Sequence, residues 1–525
     1  MNDHLALPVF AMPEKLKVIL ANVFAVGSLN FRALGILVIG TVCSFIACGG
    51  ADSGGTQGQN APAAMDVTLS PVATTINPAG SQSFTASISG TTNTGVTWAV
   101  DDIQNGNASV GTVIGSGNTV IYTAPATMGS HTLTATSVAD SSKHSSSAVT
   151  VQSGCAPTPS SLLTVSVRDA AYGAKGNGVA DDTAAIQRAV DAVTGTGGTV
   201  LIPDGTYMVN AIASGSMGIR VKSNMTLRLS SGAVLKAIPN GSGNYAILAV
   251  SFANKVNIIG GTLLGERSAH TGSGGEWGMG LAINNSDQVV VEGVTAKECW
   301  GDGFYVTTLS TNVTFCNVTG DHNRRQGLSI TSVDGLVVRN STFKNTAGTP
   351  PEAGIDIEPN DASTVNHVLI TGCTLTNNAG GGFQCGFNDA FTTSRILNTV
   401  FDKNTVSGNG LKPTGAVYRA AVLVSHCLGN ASITNNVITG NTGQGIMVMA
   451  HSANTIVKGN KVTGTIMVNG DDTWTGGGIY ISQSPSSTIS SNTVTGNAGH
   501  GIWHVDTDPT VVINGNTVSG NKVSP

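Results

Sequence analysis

The chain has 525 residues, of which 68 are glycine, 5% are aromatic and only 10% are charged. Soluble domains usually have about a quarter of their residues charged, so this composition disfavours helices laced with Glu and Lys and favours sheets joined by polar turns. A net charge of −5, with no basic run beyond Arg324-Arg325, excludes a nucleic-acid-binding surface. A single apolar segment, close to the N-terminus, excludes a polytopic membrane protein.

The first 48 residues are typical of a bacterial export signal. Basic residues precede an apolar run from Ala33 to Ala47, which ends at Cys48. The run is shorter than the ~20 residues of a membrane-spanning helix, although an uncleaved anchor is the alternative interpretation. The string Phe-Ile-Ala-Cys that ends at Cys48 resembles a lipobox, which implies that Cys48 is acylated. We therefore predict an exported lipoprotein, anchored to the bacterial membrane at the outer membrane or cell surface or in the periplasm.

A flexible tether and a small β domain are predicted next. Residues 49–65 are rich in Gly and Ala and contain no large aromatic side chain, as a flexible, solvated tether of the Gly/Ser type would be. Residues 66–152 contain short alternating runs separated by turn residues every 8–12 residues or so, which predicts a β-sandwich. The string GSQSFTASISGTTNTGVTWAV resembles a bacterial Ig-like domain, with Trp98 as its core aromatic residue. It contains no catalytic constellation, so we expect a spacer or a weak binding module, followed by a linker over residues 153–164.

Residues 165–525 form the largest predicted domain. Asp181 or Asp182 can cap a helix, because the apolar residues from Ile186 to Val193 follow i, i+3, i+4, i+7 spacing. The strings VRDAAYGAKGNGVADDTAAIQRAVDAV and GGTVLIPDGTYMV resemble the N-terminal cap of the pectate-lyase-like right-handed parallel β-helix proteins. That superfamily includes polysaccharide lyases, glycoside hydrolases, phage tailspikes and mannuronan C5-epimerases. The resemblance therefore implies a fold and leaves the reaction undecided.

Two internal repeats independently predict stacked coils. Their periods of roughly 24–32 residues are those of a solenoid, and about 12–14 coils fit the domain. The fold class expected is all-β: a right-handed parallel β-helix with an N-terminal capping helix, preceded by a small Ig-like β-sandwich. The motif Gly-apolar-x-apolar begins at Gly303, Gly327, Gly354, Gly382, Gly445 and Gly478, and the motif Asn-x-apolar-x-Gly, expected to form a ladder of turns, begins at Asn404, Asn436, Asn460, Asn492 and Asn516.

Strand alternation assigns the outward side chains of these coils. In the string Gly-Ile-Asp-Ile-Glu, the two isoleucines point inward, and Asp356 and Glu358 point outward to solvent about 7 Å apart. Two carboxyl groups this close can divide into a protonated acid and an ionised base, as in glycosidases. A solvated acidic patch or a cation site is the alternative. The same register predicts an outward row of Ala282, Tyr305, Ser329, Asp356, Gln384, Met447 and Tyr480.

Further candidate residues come from the same coils. Tyr305, His322 and Arg325 could supply the acid, the base and the cation that β-elimination or C5-epimerisation of a uronic acid needs. Asp302 suits either that scheme or hydrolysis, and we expect one groove to join Asp302, Arg325 and Asp356. Loop polarity and stacking between coils are the alternative explanation of these residues. The predicted substrate-binding residues are Trp300, Arg324, Gln384 and Arg419.

Six cysteines follow the signal segment, and none has the Cys-x-x-Cys spacing of a metal site. We therefore predict no metal site and buried thiols for most of the six. Cys316 and Cys373 take equivalent positions two coils apart, about 9.6 Å, which is beyond the ~7 Å Cα limit for a disulfide, so both are predicted to be free. No cofactor is assigned, although Asp356 and Glu358 could hold Ca²⁺ if the reaction is an elimination.

The absence of family motifs narrows the expected function. The mannuronan epimerases carry Tyr-Gly-Phe-Asp-Pro-His, whereas this chain has Asp-Gly-Phe-Tyr-Val-Thr from Asp302, so the acidic and tyrosyl positions are exchanged and the histidine is missing. We predict a surface-anchored enzyme that cleaves glycosidic bonds of an extracellular, acidic polysaccharide, as a lyase or a glycoside hydrolase. The alternatives are a non-catalytic carbohydrate-binding or adhesive β-helix and an epimerase-like modification. The expected partners are the polysaccharide and, through the lipid, the membrane.

Overall fold

The computed structural model describes residues 64–523, except 77–80, 126, 128, 152–154, 156–160, 162, 361, 388–392, 412–419, 469–474 and 507. The signal segment with Cys48, most of the tether and the predicted binding residue Arg419 lie outside the described residues. In the part that is described, no helix is long and apolar enough to cross a membrane.

Residues 66–151 form two five-stranded sheets that share one core. Trp98, predicted as the core aromatic residue, is 5% exposed and packs with Phe84 and Tyr122 from the other sheet. This is the predicted two-sheet sandwich, and its membership of the bacterial Ig-like family stays a prediction. In spatial order, one sheet contains Asp66–Ser70, Ser81–Ser89, Thr119–Thr123, Gly111–Ile114 and Gly106–Asn107, and the other contains Ala73–Ile76, His144–Val151, Gly129–Ser137, Val96–Val100 and Ile103–Gln104.

The predicted capping helix spans Thr183–Val193. Its apolar face, including Ile186 and Val190, joins the same buried core as the coils that follow, so it covers the first of them. Asp182 stands at the N-cap position, yet it is the carboxylate of Asp181 that accepts the Thr183 amide at 2.9 Å. The other described helical segments are the short turns Ala213–Ser216 and Arg267–Ala269.

From Thr164 onward the chain winds through three parallel sheets, which confirms the predicted parallel β-helix. The first sheet contains Thr164–Ser166, Thr199–Ile202, Met225–Leu229, Asn254–Ile259, Asp287–Glu292, Ser310–Cys316, Val333–Arg339, Thr364–Thr371, Arg395–Leu397, Thr399–Asp402, Cys427–Gly429, Ser432–Thr434, Ile456–Lys458, Thr488–Ser490 and Val512–Asn514. The second sheet contains Asn177–Asp181, Gly205–Val209, Ala233–Ala237, Thr262–Leu264, Thr295–Lys297, Thr319–Asp321, Thr342–Lys344, Thr374–Thr376, Thr405–Ser407, Val437–Thr439, Lys461–Thr463, Thr493–Thr495 and Thr517–Ser519. The third sheet contains Met217–Val221, Asn244–Ser251, Trp277–Asn284, Phe304–Thr307, Leu328–Ile330, Ile355–Ile357, Phe383–Cys385, Ala420–Ser425, Gln444–Met449, Ile479–Ile481 and Ile502–His504.

Asparagine side chains link the later coils at one corner. Each donates from Nδ2 to Oδ1 of the next at 2.9–3.1 Å, and the side chain also caps main-chain groups of its own and the neighbouring coil. The ladder satisfies buried polar groups that would otherwise be left without partners at every turn. It consists of the predicted residues Asn404, Asn436, Asn460, Asn492 and Asn516.

The glycine of the repeated Gly-apolar-x-apolar motif, which opens several third-sheet strands, is required by close packing. A Cβ on Gly327 would lie 2.5 Å from the carbonyl oxygen of Gly354 and 2.9 Å from the ring of Phe343. Backbone and ring cannot both give way, so only glycine lets these coils stack at this distance. This explains the periodic glycine in the sequence.

The cysteine prediction is wrong at one position. Cys316 forms a disulfide with Cys155, with 6.2 Å between the Cα atoms. Phe315 is the inward residue at this end of its strand, so Cys316 faces outward, where Cys155 can reach it. The sheet register pairs Cys316 with Arg339, which pairs with Thr371 and not with Cys373. The other cysteines of the described β-helix, Cys299, Cys373, Cys385 and Cys427, are free and buried, as predicted for most.

Candidate active site

The third sheet carries the predicted outward row, and its register confirms the order of the side chains. Consecutive strands place Ala282, Tyr305, Ser329, Asp356 and Gln384 side by side. The row then continues through Leu423 to Met447 and Tyr480. Charged groups therefore concentrate near the middle of the row and not along its whole length.

Arg325 lies at the centre of a carboxylate cluster. Its Nη1 is 3.2 Å from Asp302 Oδ2, its Nη2 is 3.4 Å from Glu358 Oε2, and its Nε is 3.8 Å from Glu276 Oε2. Its side chain is only 11% exposed. The loop before strand Leu328–Ile330 thus folds over the sheet and ties three carboxylates to one guanidinium.

Gln326 connects a fourth carboxyl group, that of Asp356, to this cluster. Its Oε1 accepts a hydrogen bond from Arg325 Nη1 at 3.3 Å, and its Nε2 donates to Asp356 Oδ2. Asp356 is consequently 4% exposed, which corrects the expectation that it faces open solvent. Its side chain does point outward from the strand, but Arg325 and Gln326 cover it. Glu358, in contrast, keeps 46% of its side chain exposed.

Burial sets the protonation of these groups. Desolvation raises the pKa of Asp302 to about 7, although Arg325 opposes the rise. Desolvation, and then the charge of Glu358, raise the pKa of Asp356 well above its ordinary range. Desolvation also raises the pKa of Glu358, and Arg325 counteracts it. The cluster can therefore hold a protonated carboxyl group near neutral pH beside a carboxylate that reaches solvent.

Tyr305 and Gln384 flank this cluster along the row. The Tyr305 hydroxyl accepts a hydrogen bond from Thr331 Oγ1 at 3.2 Å, and Thr331 comes from the coil between Tyr305 and Glu358. The side chains of Tyr305 and Gln384 are both partly exposed. Tyr305 and Asp356 are two strand steps apart, about 9.6 Å, so a sugar ring could lie between them.

The structure places His322 outside the cluster. Its Nδ1 lies 2.6 Å from Asp321 Oδ1, and 53% of its side chain is exposed. His322 directly follows strand Thr319–Asp321 of the second sheet, whereas Tyr305 and Asp356 lie on third-sheet strands and Asp302 precedes one of them. The chain crosses the corner between the two sheets after His322, which separates it from the residues it was expected to assist.

The ring of Trp300 lies between Arg324 and His270. The Arg324 guanidinium carbon lies 3.9 Å from the centroid of the Trp300 ring, and the His270 ring stacks at 3.8 Å and 11°. Two groups this close to one centroid must occupy opposite faces, so neither face of Trp300 is open to a sugar. Arg324 also donates to the carbonyls of Gly275 and Trp300 at 2.9 and 3.2 Å. Both predicted binding residues therefore support the loops around the cluster.

Glu276 and Gln326 are site residues that the sequence analysis missed. Glu276 precedes the strand Trp277–Asn284 in a Gly-rich loop that carries no motif. Gln326 could have been found, because it precedes Gly327 as Asp302 precedes Gly303, and the two strands pair in register. In the described residues, no three His, Cys, Asp or Glu side chains are arranged to hold a metal ion, and the Ca²⁺ prediction remains untested.

Comparison with known proteins agrees with this architecture. A family model described as rhamnogalacturonase A/epimerase, pectate lyase-like, matches residues 164–389. A second, described as a right-handed beta helix region, matches residues 353–524. Together with the three parallel sheets, these matches support a right-handed parallel β-helix of the pectate-lyase-like superfamily over residues 164–524.

Individual relatives resemble parts of the chain. It is 30% identical over 236 residues to the uncharacterised protein YclG of Bacillus subtilis (strain 168), covering 39% of this chain and 40% of the relative. It is 40% identical over 88 residues to an iota-carrageenase of Alteromonas macleodii, covering 16% of each. Among solved structures, the A-module of an Azotobacter vinelandii mannuronan C-5 epimerase aligns with 69% of this chain and 99% of that one, at 17% identity and a TM-score of 0.47. The chain thus spans less than half the length of these two curated relatives.

Proposed function

We propose that this protein hydrolyses glycosidic bonds of a polysaccharide at the Arg325 cluster. The observation that carries the proposal is that the charge of Arg325 is already paired with carboxylates of the protein. Its guanidinium nitrogens face three protein carboxylates, within 3.8 Å. Elimination at a uronic acid needs a cation that neutralises the substrate carboxylate, and Arg325 is already neutralised by the protein. A protonated carboxyl group beside an exposed carboxylate is instead the pair that glycoside hydrolysis uses.

The two acids of the string Gly-Ile-Asp-Ile-Glu take different roles. Asp356 is buried and its pKa is raised, so it can hold the proton that the leaving glycosidic oxygen receives. Glu358 is exposed and contacts Arg325, which favours its ionised form as base or nucleophile. Asp302 is fully buried with its Oδ2 3.2 Å from Arg325 Nη1, so it helps to hold the guanidinium beside Glu358. Tyr305 and Gln384 would contact the sugars on either side.

A polysaccharide substrate is also supported by the names of relatives. The description of one matching family model names rhamnogalacturonase A, and one relative is an iota-carrageenase. These names belong to those proteins, and this chain matches only 16% of the iota-carrageenase. They make a carbohydrate polymer the first substrate class to test.

The test is a screen of the purified protein on acidic and neutral polysaccharides, following reducing ends and absorbance at about 235 nm together. Hydrolysis gives reducing ends without absorbance, since no unsaturated sugar forms. An unsaturated product would contradict hydrolysis and favour a lyase. Binding without any product would favour the non-catalytic alternative.

Two substitutions test the site itself. Asp356→Asn and Glu358→Gln should each lower turnover at least about 100-fold, the lower range of general acid–base contributions. Asp334→Asn is the matched control, because Asp334 is 60% exposed on the first sheet. Full activity in both site variants would place the catalytic centre elsewhere on the molecule.

We also infer that the protein is exported and held at the membrane through Cys48. The support is the sequence alone, in which basic residues and an apolar run precede Cys48. Cys48→Ser should move the protein from the membrane fraction to the soluble fraction and remove the mass of the lipid. Unchanged mass and unchanged membrane association would refute lipidation.

A further inference from the structure

The outward row of the third sheet extends beyond the carboxylate cluster toward the capping helix. Arg220 pairs with Ala249, and Ala249 pairs with Ala282, which begins the row that leads through Tyr305 to Asp356. Arg220 therefore stands five strand steps, about 24 Å, from Asp356 on the same line of side chains. Lys222 follows Arg220 by two residues, as Glu358 follows Asp356, so a basic pair and an acidic pair occupy matching positions.

Both residues of the basic pair line a cleft of about 460 Å³ beside the capping helix. Arg220 is held there by that helix, because its amide donates to Gln187 Oε1 at 2.9 Å and its carbonyl accepts from Gln187 Nε2 at 3.1 Å. Its guanidinium also donates to the Ser214 carbonyl. The charged side chains lining the cleft are Asp181, Arg188, Asp191, Arg220 and Lys222.

Three cations and two carboxylates line this cleft, so its net charge is positive. Asp181 accepts the Thr183 amide at 2.9 Å, and Asp191 accepts from Gln187 Nε2 at 3.0 Å. Among the ion pairs that the described residues form within 4 Å, none includes Arg220 or Lys222. This is the opposite of Arg325, whose charge is matched by three carboxylates. Positive charge available to an external anion therefore lies at the cap.

Between the two pairs the row carries no charge. Ala249 is buried with Met279 in a small apolar cluster against which Ala282 and Tyr305 pack, and the parallel positions two residues later carry Ser251, Asn284 and Thr307, which are partly exposed. Short polar and apolar side chains of this kind suit the mixed polar and C–H surface of a sugar chain. A polymer could thus pass along the sheet from one pair to the other.

We propose that Arg220 and Lys222 form a distal subsite for an anionic substituent, a carboxylate or a sulfate, of the polysaccharide whose bond is cleaved at Asp356 and Glu358. The proposal rests on the proposed function and deepens it by giving the predicted acidic polymer a binding site for its anionic group, about 24 Å from the reaction. The acidic cluster repels such a group from the cleavage point, while the basic pair attracts it at the cap. The charge pattern would therefore fix the direction of the chain in the groove.

Binding to the inactive Asp356→Asn protein tests the subsite separately from catalysis. Titration calorimetry with a polyuronate, a sulfated galactan and a neutral galactan compares carboxylate, sulfate and no charge. The double variant Arg220→Gln/Lys222→Gln should bind whichever acidic polymer is preferred about tenfold more weakly, as expected for two solvent-exposed ion pairs. Binding of the neutral polymer should not change. The matched control is Arg228→Gln, an exposed arginine on the first-sheet strand of the same coil.

Kinetics and a rescue variant complete the test. In the active protein, the double variant should raise KM about tenfold and leave kcat unchanged, and oligosaccharides too short to span about 24 Å should show no difference. Arg220→Lys/Lys222→Arg, which retains both charges, should bind as tightly as the parent. That result would exclude misfolding as the cause of the weaker binding in the double variant. Equal affinity of the double variant and its parent, an equal loss in Arg228→Gln, or no binding of any acidic polymer overturns the subsite. If charge-dependent binding is present but no polymer is cleaved, the proposed function fails while the subsite stands.

Discussion

The coils between residues 276 and 358 and those between residues 404 and 521 share one backbone plan but use it differently. In the later coils, buried asparagines satisfy one another in an unbroken ladder. Their outward row is apolar, with Met447 and Tyr480 packed against Leu423 and Trp503. Among the described residues of this region, the buried side-chain nitrogen without a hydrogen bond is His504 Nε2, which lies 2.9 Å from Asp506 Oδ1, as expected of a part of the molecule that provides stability.

The earlier coils contain buried polar atoms without hydrogen-bond partners. Asp302 Oδ1, Arg325 Nε and Ser329 Oγ are all of this kind. Each such atom costs free energy of folding, on the order of 1–3 kcal/mol. Natural proteins keep such costs mainly where they serve a function. The contrast supports the proposed site in the earlier coils, and the following predictions test it.

The largest effect is expected from removing the central cation. Arg325→Ala leaves Asp302 fully buried without its ion partner and removes the shared partner of Glu276 and Glu358, so at pH 8 it should lower the free energy of unfolding by about 3–5 kcal/mol. Urea denaturation measures this, with Arg228→Ala as the exposed control. A loss equal to that of the control would show that the cluster is already neutral in the folded protein.

The pH dependence of stability should follow Asp302. Its pKa is raised from 3.8 to about 7 in the folded protein, so the folded state holds this proton more tightly than the unfolded state. The stability it contributes is complete below about pH 4 and is lost as pH rises through 7, by at most about 4 kcal/mol.

Asp302→Asn should remove this dependence, because the amide cannot ionise. Free energies of unfolding at pH 5 and pH 8 should then differ less in the variant than in the wild type. The exposed residue Asp334 supplies the control variant Asp334→Asn. An unchanged pH slope in Asp302→Asn would mean that Asp302 is ionised throughout.

A ladder residue of the later coils should affect stability alone. Asn460→Ala deprives the amide and the side chain of Asn436 of their acceptor and the carbonyl of Ile433 of a donor. We expect a loss of about 2–3 kcal/mol in the free energy of unfolding, with kcat and KM unchanged. A fall in kcat of the folded variant would contradict the division between the two regions.

The smallest effect is expected at His322. Because it is exposed and bound to Asp321 on the second sheet, His322→Ala should change turnover by less than about twofold. Activity assays across pH 5–9 provide the measurement. A large loss of turnover would return His322 to the catalytic scheme and favour elimination.

Much of the architecture was predictable from local patterns. The helix Thr183–Val193 follows from apolar residues three to four positions apart. The outward row from Ala282 to Gln384 follows from alternation every two residues. The periodic glycines and the asparagine ladder follow from repetition once per coil. Each depends on residues that neighbour one another in the chain or repeat at a constant interval. Alternation in a strand and stacking of repeats translate such spacings directly into position.

The candidate site depended on contacts that no local pattern encodes. Loop residues Arg325 and Gln326 bury Asp356, which alternation alone had directed to solvent. His270 covers Trp300 from 30 residues away, and Cys155 reaches Cys316 across 161 residues. Loops leave the repeat at each corner, and their paths are set by packing against whatever coil lies beside them. Periodicity therefore determines which residues a coil presents, but only the folded loops decide which of them are covered, paired or left to meet a substrate.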